Sequence, residues 1–261
     1  MGPRSEPDLR QLHDVGRVRE GLPGGRHRVR RTDRRRRHRA VPRGARALPH
    51  APGGGDVVTG LFVTIDGPGG VGKSTVTTAV AAELRSAGVA VCQTREPSDT
   101  PLGRLARQGT ETYRGMAMAC LIAADRYVHL DEVIRPALAQ GTTVVCDRYI
   151  ASSLVLQVLD GVDRDVVWEL NRHADMPDLA VIVNARTEVI EKRLTSRGAH
   201  SRYEREPGNA ARECTAYRET ARFLMAAGVR VLQLDASAAS PDEIARAVAV
   251  AIQELWTRGS A

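Results

Sequence analysis

Leu61-Phe-Val-Thr-Ile-Asp-Gly-Pro-Gly-Gly-Val-Gly-Lys-Ser74 runs from an apolar, β-branched segment into a glycine loop that completes the pattern G-x-x-x-x-G-K-[ST] from Gly67 to Ser74. From Lys73 apolar residues recur at helical spacing through Leu84, so the stretch reads strand, loop, helix. In that setting the glycines let backbone N–H groups converge on phosphate oxygens. Lys73 supplies a cation toward the β and γ positions, and Ser74 offers a hydroxyl to Mg²⁺ at a helix N-terminus. The candidate nucleoside triphosphate site is therefore Gly67, Pro68, Gly69, Gly70, Val71, Gly72, Lys73, Ser74 and Thr75. Lys73 is one of only two lysines, with Lys192, among 38 basic residues, in a chain that otherwise uses Arg.

Beyond the first helix, Gly88 ends the turn and Val89 to Thr94 reads as a second strand leading into Arg95-Glu96-Pro97. A short helix over 102–109 and a long one over 115–139 follow. Thr142 to Cys146 is a third strand running into Asp147-Arg148-Tyr149, and Leu179 to Asn184 and Val229 to Leu234 are the fourth and fifth. Helices are expected over Ser152–Leu159, Val166–His173, Glu188–Arg197, Cys214–Ala227 and Asp242–Trp256. Five apolar strands separated by helices imply an α/β class protein: a P-loop NTPase fold with a five-stranded parallel sheet covered on both faces.

Charge divides the chain of 261 residues in two. Residues 1–60 hold 15 Arg against six Asp and Glu, a net charge of +9, whereas the remainder carries 23 basic and 25 acidic groups. The extension lacks apolar periodicity and contains the run Arg34 to Arg37, so it is expected to be disordered, with the folded domain over 61–261. A solvated leader is the reading adopted for it, ahead of a basic arm for nucleic acid. No segment has the length or hydropathy of a membrane span, so a soluble, cytoplasmic protein without membrane partners is expected. Cys92, Cys120, Cys146 and Cys214 form no C-x-x-C pair and are expected to be reduced and mostly buried.

In a parallel sheet ligands gather at the carboxyl ends of the strands. The second strand ends in Arg95 and Glu96, and the third in Asp147 and Arg148. Asp147 stands where a P-loop protein needs a partner for Mg²⁺, alongside Ser74, and Arg148 can grip a second phosphate bidentately. Arg193, Arg197, Arg202 and Arg205 place four guanidiniums in thirteen residues, with Gly198 and Gly208 as hinges, which reads as a basic lid closing over the transferring group.

The order and spacing of these motifs resemble the thymidylate kinases among the nucleoside monophosphate kinases. The likeness runs from Leu61 to about Ile252. It rests on Phe62-Val-Thr-Ile-Asp-Gly with the glycine loop, Thr94-Arg-Glu-Pro, Thr100-Pro-Leu-Gly and Ala124-Asp-Arg. Asp147-Arg-Tyr with Ser152, Ser153 and Gln157, Met176-Pro-Asp-Leu, Arg197-Gly with Arg202 and Glu204, and Leu234-Asp-Ala-Ser complete it. The resemblance implies transfer of the γ-phosphoryl group of ATP, with Mg²⁺, to a nucleoside monophosphate, most directly dTMP, by a homodimer. It implies Arg148 and Arg95 on the acceptor phosphate and Arg126 on the base edge. It further implies Ser153 beside the base, within a pocket that includes Glu96, Pro97 and Gln157. Lys73, Asp147, Arg197 and Arg202 complete the catalytic set.

Three positions depart from the family pattern. Ile122 replaces a Phe that stacks on thymine, Gly69 replaces a loop acid that bonds the 3′-hydroxyl, and Leu156 replaces a Tyr under the deoxyribose. Stacking on an aromatic contributes about 1–3 kcal/mol per base. A kinase for a different nucleotide or nucleoside is therefore the alternative reading, and a nucleotide-dependent switch without turnover is a second. The switch is disfavoured because it needs no second phosphate site.

Overall fold

The structure is a computed structural model that describes residues 60–198 and 201–259. The basic extension before Gly60, and the disorder expected of it, lie outside those residues. Five strands, β1 (Phe62–Asp66), β2 (Val91–Arg95), β3 (Thr143–Asp147), β4 (Leu179–Asn184) and β5 (Val231–Asp235), form one sheet in the order β2-β3-β1-β4-β5. All pairings are parallel, with Ile65 opposite Asp147 and Val181 across the two central neighbours of β1. The central strands are almost wholly buried and mainly apolar, while β2 and β5 at the edges are partly exposed.

Side-chain alternation along β1 divides the core. Val63 and Ile65 join Val145, Val181 and Val183 under α1 (Lys73–Ser86) and α10 (Pro241–Gly259), with Val76, Val80, Leu84, Val248 and Ile252 closing that layer. Phe62 joins Val144, Cys146, Ala180 and Ile182 on the opposite face. That layer is closed by α3 (Gly115–His129), α5 (Ile150–Leu159), α6 (Arg164–Leu170) and α9 (Asn209–Ala226). The helix leaving β1 thus lies on one face and the helix leaving neighbouring β3 on the other. This opens a crevice between their carboxyl ends, where a doubly covered parallel sheet binds its ligands.

The long helix expected over 115–139 is an α-helix to His129, a π-turn over Leu130–Ile134 and α4 (Arg135–Ala139). Pro136 explains the change, since its ring nitrogen has no proton for the carbonyl one turn back. The helix expected from Cys214 begins at Asn209, and a four-residue helix, α8 (Arg202–Arg205), stands in the lid between α7 (Thr187–Arg197) and α9. Cys146 and Cys214 are buried, Cys92 is half-buried, and Cys120 is exposed where burial was expected. Among the described residues no helix is long and apolar enough to cross a membrane.

Candidate active site

The glycine loop sits between β1 and the N-terminus of α1. Gly72 caps that helix at φ 102°, a left-handed conformation that side chains resist. Lys73 is 6% exposed and donates from Nζ to the Pro68 carbonyl at 2.7 Å, folding back over the loop. Burial, reinforced by the nearby Arg148 charge, draws its ammonium down to about 7, so an arriving anion would restore its charge. Ser74 and Thr75 present hydroxyls from the exposed first turn of α1.

Asp66 and Asp147 end the two strands that flank the crevice. Asp66 is fully buried, and its Oδ1 accepts from Tyr149 N–H (3.0 Å), Ser152 N–H (2.9 Å) and the Ser152 hydroxyl (2.6 Å). It therefore ties β1 to the loop that carries Arg148. Arg148 takes a φ of 72°, strain held in place by these bonds, and its guanidinium lies against Ser152. Burial opposes the Arg148 charge, but Tyr217, Asp147, Glu213 and Asp66 around it hold its pKa above the ordinary value. Asp147 Oδ2 accepts from Ser74 Oγ at 2.5 Å, joining the two motifs as the sequence suggested. Among the described residues its Oδ1 is buried with no partner, as is Asp66 Oδ2.

The acceptor side is built on α3 and α5. Arg126 is 1% exposed and donates to Glu96 from Nε (2.9 Å) and an Nη (2.7 Å), to Asn171 Oδ1 (2.5 Å) and to Ser153 Oγ (3.0 Å). Four of its five N–H donors are thus engaged by protein groups. Glu96 is consequently committed to a buried ion pair, joined by His129 Nδ1 at 3.3 Å. Gln157 is 4% exposed, and among the described residues its amide has no hydrogen bond. Ile122 and Leu156 are half-buried on α3 and α5, and Pro97 follows Glu96 through a cis peptide. Arg95 lies at the exposed rim, paired with Asp99 at 2.8 Å.

The lid arginines reach different places. Arg197 pairs with Glu204 at 2.7 Å, and Glu204 in turn covers Gly69. Arg202 instead forks onto Asp160 at the end of α5, with both contacts at 2.6 Å, and donates to the Thr110 carbonyl. Arg205 pairs with Glu111 at 2.5 Å. Arg193 donates to the carbonyls of Val71 and Ala236, bracing the glycine loop from behind.

Two functional candidates escape a reading by motif. Glu213 and Asn209, both buried on α9, face the glycine loop, with Glu213 Oε2 accepting Gly69 N–H at 2.8 Å. Their one signal is a polar pair at i, i+4 on a helix whose start the apolar pattern misplaces.

A triphosphate loop and a second cationic grip, facing each other across one crevice and roofed by an arginine-bearing lid, define a P-loop phosphotransferase of the nucleoside monophosphate kinase class. The sequence pattern of the family described as thymidylate kinase matches residues 65–246. A thymidylate kinase of Thermomicrobium roseum is 35% identical over 210 residues, covering 76% of this chain and 97% of that protein. One from Solidesulfovibrio magneticus is 37% identical over 202 residues, covering 72% and 96%. A probable thymidylate kinase of Caldivirga maquilingensis is 40% identical over 149 residues, covering 56% and 73%. The chain belongs to the thymidylate kinase family.

Proposed function

We propose that this protein transfers the γ-phosphoryl group of ATP to dTMP, giving dTDP. The observation that carries the reading is the bond between Ser74 and Asp147, which brings the triphosphate loop against the strand end bearing Arg148. Transfer to a phosphate oxygen needs no strong base, because the acceptor is already anionic. The chain's task is to position two anions and neutralise the charge between them. Lys73 would leave the Pro68 carbonyl for the β and γ oxygens, Arg148 with Arg95 would hold the acceptor phosphate, and Arg197 would reach the transferring group from the lid. The acceptor pocket reads the base through Arg126, Ser153 and Gln157 between Ile122 and Leu156.

The oxygen donors of Ser74 and Asp147, with the partnerless Asp147 Oδ1, suit Mg²⁺. When bound there, Mg²⁺ supplies positive charge to the β and γ oxygens. Exposed Leu105 and Met116 on α2 (Pro101–Gln108) and α3 support a homodimer formed through those helices. Light scattering on the purified protein tests it.

The functional test is ADP release from Mg-ATP across dTMP, the other nucleoside monophosphates and the free nucleosides. Saturable turnover on dTMP is expected. Turnover confined to another acceptor would instead assign Ile122, Gly69 and Leu156 to a repurposed pocket.

A further inference from the structure

Glu213 is a buried carboxylate at the catalytic centre that the chemistry above does not use. It is 3% exposed, and each of its oxygens makes one hydrogen bond. Oε2 accepts Gly69 N–H at 2.8 Å, and Oε1 accepts the Asn209 amide at 2.8 Å from one turn earlier on α9. Its direction is therefore fixed, and each oxygen keeps a lone pair. Its charge also acts on Lys73 and Arg148, the two cations assigned to the phosphates. Those cations offset its charge, and its remaining lone pairs can accept a hydrogen that a ligand brings. Position 69 carries no carboxylate of its own, and the Glu204 side chain occupies the space above it, with Cγ 2.7 Å and Oε1 2.9 Å from where a Cβ would stand. Tyr217, one turn beyond Glu213 on α9, bonds Ser152, which Arg148 also contacts, so an acceptor nucleotide held at its 5′-phosphate by Arg148 would bring its sugar to this part of the crevice. The sugar of dTMP carries a single free hydroxyl, at C3′.

We propose that Glu213 accepts a hydrogen bond from the 3′-hydroxyl of the acceptor nucleotide and so determines which sugars the site takes. Asn209 is its positioning residue, and Glu204 fills the space above Gly69. The inference rests on the dTMP reading above. Its test compares kcat/KM for dTMP and for 3′-deoxythymidine 5′-monophosphate in the wild-type protein and in Glu213→Gln and Glu213→Ala. The wild type should prefer dTMP by about 10- to 100-fold, the range for a hydrogen bond to a charged group. Glu213→Ala should bring the ratio of kcat/KM for dTMP to that for the 3′-deoxy acceptor down toward 1, since the ratio cancels whatever the lost contact with Gly69 costs both acceptors alike, and Glu213→Gln, whose neutral oxygen still accepts, should lower it less. If Glu213 only braced Gly69, both acceptors and ATP would weaken together, and that result overturns the inference. So does a wild type indifferent to the 3′-hydroxyl. Should the Glu213 variants lose cooperative melting, Asn209→Ala reads the same acceptor ratio, and an unchanged ratio there also counts against the inference. Absence of dTMP turnover in the wild type overturns the functional reading itself.

Discussion

Replacing Asp66 separates its role as an acceptor from its role as a charge. Its Oδ1 alone receives Tyr149 N–H, Ser152 N–H and the Ser152 hydroxyl, while Oδ2 is buried without a partner. Asp66→Ala strands two buried amides, each costing about 1–3 kcal/mol, so a loss of about 4 kcal/mol is expected. For a domain of this size that lowers Tm by about 8–16 °C. Asp66→Asn keeps the accepting oxygen and puts an NH₂ where Oδ2 had no donor, so its cost should stay within about 1 kcal/mol. A pH signature accompanies it. Burial raises the Asp66 pKa above its usual 3.8, so the folded state binds more protons than the unfolded one between the two values. Its contribution to stability therefore falls as pH rises from 3.8 through the raised folded value, and Asp66→Asn should remove that slope. Urea unfolding of the three proteins from pH 4 to pH 8 measures both effects. Equal destabilisation by Asn and Ala would refute the reasoning, because the charge and not the acceptor geometry would then hold the loop.

Lys73 should give the opposite pH trend. With its pKa lowered from 10.5 to about 7, the folded state binds fewer protons across that window, so stability rises with pH there and Lys73→Met flattens the rise in thermal melts. Gly69→Asp requires the Glu204 side chain to swing aside, so it should lower activity more in the wild-type background than in Glu204→Ala, as read in the ADP-release assay. Asp160→Asn removes the fork that holds Arg202. With side chains 13% and 9% exposed, the loss is discounted for solvent to about 1–2 kcal/mol, so trypsin cleavage within the lid should accelerate by about 5- to 30-fold.

The sheet was legible because strands covered on both faces must be apolar throughout, and Leu179 to Asn184 is recovered to the residue. The crevice was legible as well, since a glycine loop and an acid-arginine pair at strand ends have few other uses. What sequence could not show is pairing. Arg126 and Glu96 read as separate groups at a ligand pocket, and their buried pairing with each other depends on how α3 packs on the end of β2. Arg202 reads as part of one cationic lid, but its fork onto Asp160 depends on where α8 lands. Glu213 was hidden because Asn209 and Glu213 turn polar side chains inward, which erases the apolar period that would have marked the first turns of α9.

The lid pairs bear on turnover. Arg197, Arg202 and Arg205 each already have a carboxylate, on Glu204, Asp160 and Glu111. On the proposed reading a nucleotide entering beneath the lid would compete with the protein's own anions, and its net attraction would be the difference between two sets of ion pairs. On the proposed reading the same carboxylates would reclaim the guanidiniums after transfer, an arrangement that would favour letting go of the diphosphates over holding them tightly.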